Sequence, residues 1–147
     1  MKVLVINGPT INMLGIREKD IYGANTYEDL KLRINEYCKM HDIDVEIYQS
    51  NHEGDLVDKI QEAYFKKMDA IIINPGAYTH TSIAILDALR ATSIPTLEVH
   101  LSDVNKREEY RKVSYVREYV KSVFMGKGID SYIDALEYLR NIKWMYW

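Results

Sequence analysis

The chain has 147 residues, 47% hydrophobic and 28% charged, with a net charge of -3, the profile of one ordinary globular domain with room for a sizeable core. The acidic balance argues against a general nucleic-acid binder, which needs a basic face, and no apolar run is long enough to cross a membrane. The one cysteine, Cys38, cannot close an intrachain disulfide, so a reducing, cytoplasmic setting is the default expectation.

Residues 1–6 make too short an apolar run for a signal peptide, and 3–6 read as a buried strand. Residues 7–25 form a long loop rich in Gly, Pro and Asn. Thr26 followed by Asp29 gives a capping-box-like start. On the helix that follows, Tyr27, Leu30, Ile34, Tyr37 and Cys38 recur at helical spacing, so Cys38 reads as a buried structural thiol. Further strands are predicted at 45–48, 70–73, 96–99 and 119–125, and further helices at 55–67, 81–91 and 129–142. Pro95 breaks the chain before the fourth strand, and a short basic helix is predicted near 108–112. Such alternation with short connections means a parallel sheet with helices on both faces. Five strands suggest a flavodoxin-like, three-layer α/β fold, a single catalytic domain over 1–147. The terminal Trp144-Met145-Tyr146-Trp147 suits either packing on a subunit or a sticky tail.

In an open parallel sheet the carboxyl ends of neighbouring strands share one crevice. The run Ile71-Ile72-Ile73 ends in Asn74-Pro75-Gly76 ahead of His80-Thr81-Ser82, and Thr96-Leu97-Glu98-Val99 ends in His100-Leu101-Ser102. Asn74, His80, His100 and Ser102 therefore converge on one small polar molecule. Glu98 and His100, two apart, point to the same side of a strand, so the carboxylate can hold the imidazole's tautomer and make it a competent acid. A structural strand-end histidine fits the same residues. The segment 15–23 is charged and bracketed by glycines, which suits a mobile lid. On it a guanidinium at Arg17 would favour the phenolate of Tyr22, a candidate general base; a surface salt-bridge loop with a packed tyrosine is the other reading. His80 and Asp87, seven apart, could share one helix face. Lys106, Arg107, Arg111, Lys112 and Arg117 form either a solvated helix face or a cationic pocket for a small acidic substrate. No recognised metal-ligand spacing, glycine-rich nucleotide loop or Gly-x-Ser-x-Gly elbow occurs. What remains is proton-transfer chemistry.

The spaced motifs are specific: Asn7-Gly8-Pro9, Leu14-Gly15-x-Arg17-Glu18 with Tyr22-Gly23, Gln49-Ser50-Asn51, Asn74-Pro75-Gly76 with His80-Thr81-Ser82, and Glu98 to Ser102 continuing through Arg107-Glu108-Glu109 and Arg111 to Ser114-Tyr115. Over essentially its whole length the chain resembles the type II 3-dehydroquinate dehydratases of the shikimate pathway. The resemblance implies a cofactor-free, metal-free anti elimination of water from 3-dehydroquinate to 3-dehydroshikimate through an enol or enolate. It assigns Tyr22 as the base and Arg17 as the arginine that favours tyrosinate and the enolate-like transition state. His100 is the acid on the leaving hydroxyl, oriented by Glu98. Leu101 and Ser102 would hold the substrate carboxylate, with Asn74 at the same end of the ring. His80 and Arg111 would bind ring hydroxyls, Arg107 would support the closed lid, and Asp87 would reach in from a neighbouring subunit. Trimers packed into a homododecamer are expected.

One departure stands out. The family usually has asparagine directly after Asn-Gly-Pro, where its carboxamide holds a water at the enolic oxygen; here the residue is Thr10, with one donor in place of two. Reduced turnover is expected from that exchange. Asp103 and Asn105 also depart from the family pattern and carry no assigned role. Two other readings use the same residues: a catalytically silent member that binds a polyol acid, favoured by Thr10 alone, and an unrelated flavodoxin-like module for a phosphate or nucleotide.

Overall fold

A computed structural model describes residues 1–142, so the aromatic tail lies outside the described residues. Five strands, β1 (Lys2–Asn7), β2 (Asp44–Gln49), β3 (Ala70–Asn74), β4 (Thr96–His100) and β5 (Val123–Met125), form one sheet in the order β2-β1-β3-β4-β5. Every pairing is parallel. That order is the flavodoxin-like one. The helices are α1 (Lys19–Tyr22), α2 (Tyr27–Met40), α3 (Glu53–Phe65), α4 (Ile83–Thr92) and α5 (Asp130–Asn141).

The continuous apolar runs of β1 and β3 follow from cover on both faces. Val3, Val5, Ile72, Leu97 and Val99 pack with Leu30 and Ile34 of α2 and Tyr132 and Leu136 of α5. The alternate residues Leu4, Ile6, Ile71 and Ile73 pack with Leu56 and Ile60 of α3 and Ile85 and Leu89 of α4. Cys38 is buried in the first of these layers, and burial pushes its thiol up to about 11. Thr26 and Asp29 make the reciprocal capping box that starts α2, with bonds of 2.8 and 3.1 Å.

Three expectations need correction. The fifth strand is only Val123–Met125. Val116–Glu118 forms a 3-10 turn that buries Val116, and the Tyr119 hydroxyl donates to Ile94 O at 2.9 Å, so the chain packs against the core before it pairs. The short basic helix is present, but in 3-10 geometry and only over Glu109–Arg111. Finally, Ser82 caps α4 by accepting from Ile85 N at 3.0 Å, leaving His80 in a preceding 3-10 turn. His80 and Asp87 therefore share no helix face. Among the described residues, no helix is long and apolar enough to cross a membrane.

The strand order reverses between β1 and β3, whose last residues, Asn7 and Asn74, are register partners. That switch point opens a crevice at the carboxyl ends of the strands.

Candidate active site

The crevice is built where two strand ends nearly touch. Gly8 N donates to Asn74 O at 2.7 Å. A Cβ on Gly8 would lie 2.2 Å from Pro75 O, so any larger residue would drive the β1 and β3 loops apart. Thr10 follows in the left-handed region, at φ 66° and ψ 0°. Its backbone N–H donates to Asn51 Oδ1 at 3.0 Å and its hydroxyl donates to Pro9 O at 2.6 Å.

The segment 15–23, expected to act as a lid, meets this rim through Arg17. Glycines with positive φ flank it, Gly15 at 82° and Gly23 at 83°, a conformation glycine adopts without steric penalty. Arg17 donates to the Thr10 hydroxyl and to the Glu18 carboxylate. It also donates to the Tyr22 hydroxyl at 3.3 Å, and Arg107 donates to the same oxygen at 2.6 Å. Both guanidinium carbons lie over the Tyr22 ring, 4.6 and 5.3 Å from its centroid. Two guanidinium groups thus meet at one phenol oxygen. Arg17 also holds the exposed Glu18 carboxyl below its ordinary range through their hydrogen bond.

In the same cavity, His100 Nε2 donates to Glu98 Oε1 at 2.6 Å. Nδ1 is therefore the ring nitrogen left for a ligand. Glu98 is fully buried and also accepts from Ser114 Oγ at 2.9 Å and from Arg117 Nε and Nη2, both at 3.2 Å. Burial by itself would raise the carboxyl, but the bonds from His100 and Arg117 outweigh it and hold Glu98 below its ordinary range. A buried carboxylate persists only when so paired.

His80 Nδ1 donates to Val113 O at 2.6 Å. Burial lowers the imidazole, with Arg111 and His100 adding to the effect against the Val113 bond. The neutral ring then presents Nε2 as an acceptor for a hydroxyl.

These groups line a cavity of about 210 Å³ that includes Thr10, Arg17, Tyr22, Asn74, His80, His100, Leu101, Ser102, Arg107 and Arg111. It is smaller than the roughly 300–1,000 Å³ of sites for drug-sized ligands, as a small polar substrate requires. A wider groove of about 650 Å³ lies on the other side of the lid and shares Tyr22, Leu101 and Ser102 with it. That groove carries Asp29, Glu36, Asp103 and Asp130 together with Arg33 and Lys127, and no histidine. Asp87 is on the exposed face of α4 and does not line this chain's cavity.

Sequence reasoning placed Arg117 only in the basic run and gave no role to Ser114, Asn7 or Tyr132. A charged residue inside a buried strand demands a cation, and that requirement was the available signal for Arg117. Among the described residues, no group of three or more His, Cys, Asp and Glu is arranged to hold a metal.

The sequence profile described as Dehydroquinase class II matches residues 1–140. The chain belongs to the class II dehydroquinase family. It is 55% identical over 141 residues to a 3-dehydroquinate dehydratase of Caldicellulosiruptor bescii, covering 96% of this chain and 97% of that one. It is 52% identical to one of Fusobacterium nucleatum, covering 95% and 96%. The crystal structure of a type II dehydroquinase from Butyrivibrio crossotus superposes with a TM-score of 0.94 at 56% identity, covering 96% of this chain and 98% of that one. A 3-dehydroquinate dehydratase-like protein of Bifidobacterium longum is more distant, at a TM-score of 0.69 and 26% identity over 97% and 99% of the two chains. For a class II dehydroquinase, the chemistry is to be sought at Tyr22 and His100, which line one cavity.

Proposed function

We propose that this type II 3-dehydroquinate dehydratase, a hydro-lyase of the shikimate pathway, removes water from 3-dehydroquinate by an anti elimination using only its own side chains. Tyr22, as tyrosinate between Arg17 and Arg107, takes the proton alpha to the ketone. The C–H electron pair moves into an enolate, whose charge Arg17 stabilises. The enolate then collapses, the bond to the tertiary hydroxyl breaks, and His100 delivers the proton with which that oxygen leaves as water. Glu98 holds the imidazole and balances its charge. Solvent exchange returns the displaced proton from Tyr22 to His100.

Binding follows the same division of the cavity. Leu101, Ser102 and Asn74 take the carboxylate end, His80 and Arg111 the ring hydroxyls, and Arg107 supports the lid. Asp87 is supplied by a neighbouring copy, so trimers, packed into dodecamers, are the working form, and the setting is cytoplasmic. Thr10 stands where the family has an asparagine, and with its hydroxyl proton spent on Pro9 O the amide donors are lost there, which slows turnover without abolishing it.

The observation that carries this reading is the Tyr22 oxygen with two arginine donors in the same cavity as a carboxylate-backed histidine. The test is an ultraviolet assay for the conjugated enone of 3-dehydroshikimate, with Tyr22→Phe alongside. Loss of the base is expected to lower kcat on the order of 10²- to 10⁴-fold. Equal rates in both proteins would remove Tyr22 from the mechanism. Binding of substrate with no product from either would favour a silent binding protein.

A further inference from the structure

Behind the cavity, buried polar groups form one directed chain. Gly76 N–H donates to Asn74 Oδ1 at 3.2 Å, and Asn74 Nδ2 donates to the Tyr132 hydroxyl at 2.8 Å. Tyr132 donates in turn to Asn7 Oδ1 at 2.7 Å, and Asn7 Nδ2 donates to Tyr48 O at 3.4 Å. Asn7 and Tyr132 are 0% exposed and Asn74 is 3% exposed, so water cannot substitute for any link. The chain starts at a backbone donor and ends at a backbone acceptor. Neither terminus can exchange roles, so the amides of Asn7 and Asn74 each have one allowed orientation. Burial holds the Tyr132 phenol far above its ordinary range, which keeps its O–H a permanent donor.

Asn74 also lines the cavity. Of its two N–H groups one is spent on Tyr132, and the other has no partner among the described residues. We propose that Tyr132, carried by α5, is a positioning residue for substrate binding: it fixes the Asn74 carboxamide so that the cavity receives an N–H and not a C=O. This rests on the reading that Asn74 faces the substrate's carboxylate end. A carboxylate oxygen accepts hydrogen bonds, and a turned amide would set oxygen against oxygen there. Tyr132→Phe keeps the ring in the apolar layer, deletes the central link and leaves the Asn74 carboxamide held by the longer Gly76 N–H bond alone.

The experiment is a double-mutant cycle of Tyr132→Phe and Asn74→Ala, measuring kcat and KM for 3-dehydroquinate with thermal melting of each variant. Tyr132→Phe is expected to raise KM on the order of 10-fold, the size of one hydrogen bond to a charged group, and to change kcat by less than about 3-fold. In the Asn74→Ala background it should raise KM no further, because residues acting through one contact are not additive. A lower melting temperature with unchanged KM would overturn the proposal and leave Tyr132 a packing residue. The same KM rise in both backgrounds would also overturn it. An unchanged KM in Asn74→Ala alone would instead overturn the binding role of Asn74, and this proposal with it. If Tyr132→Phe is recovered unfolded, Asn7→Ala breaks the chain from its other end and is judged by the same criteria.

Discussion

Thr10 is strained in a way that its replacement would reveal. At φ 66° a β-branched side chain crowds its own backbone, at a cost of about 1–2 kcal/mol, whereas asparagine tolerates that region. Thr10→Asn is therefore expected to raise the melting temperature, and to raise kcat because the carboxamide restores the second donor. A gain in melting temperature without a gain in kcat would mean that the residue matters for the backbone alone. Glu98 sets a different dependence. Its carboxyl lies below the ordinary 4.5 in the folded protein, so its contribution to stability is complete above that value and is lost as pH falls through the folded pKa. Glu98→Gln should cost about 3 kcal/mol near neutrality, since it leaves Arg117 and His100 without their anion. In denaturant titrations that deficit should shrink below pH 4.5; a deficit constant with pH would show that its origin is not the charge. The Glu98–His100 pair was legible because strand alternation places i and i+2 together. Ser114 and Arg117 were not, because they reach Glu98 from a turn whose path only the packed core determines.

Loops and strand ends carry the site, and two glycines in them do different work. Gly8 is fixed by contact: a methyl group there would meet Pro75 O at 2.2 Å. Gly23 is fixed by its φ of 83° alone, since nothing lies within 4 Å of a Cβ there. Gly8→Ala should therefore lower the melting temperature by several degrees and collapse kcat/KM, because it displaces both cavity walls. Gly23→Ala should cost only about 1–2 kcal/mol and act mainly on the closed lid, raising KM. Similar losses in both variants would show that the lid and the strand ends move as one unit. The apolar pattern of 119–125 promised seven strand residues, but that pattern cannot distinguish pairing with β4 from packing of Tyr119 and Val120 on the core. Helix α2 was easier to read because its capping box is a local signal.

For the whole molecule, the sheet order follows from βα alternation, and the crevice from the reversal between β1 and β3. Local pattern says nothing of how copies of the chain assemble. Asp87 faces outward on α4, away from its own cavity. Asp87→Ala is expected to raise KM on the order of 10-fold if a neighbour lends this residue, and sedimentation should give multiples of three. A fully active monomer would refute both expectations.

Tyr22 is a party wall between the small cationic cavity and the wider groove of mixed charge. For inhibitor design this separates potency from selectivity. A compact anionic head matched to the cavity would compete with substrate by the chemistry the reaction itself requires. A zwitterionic tail reaching past the edge of Tyr22 would meet Glu36, Asp103 and Asp130 together with Arg33 and Lys127, groups the reaction leaves unconstrained and therefore the place to seek selectivity.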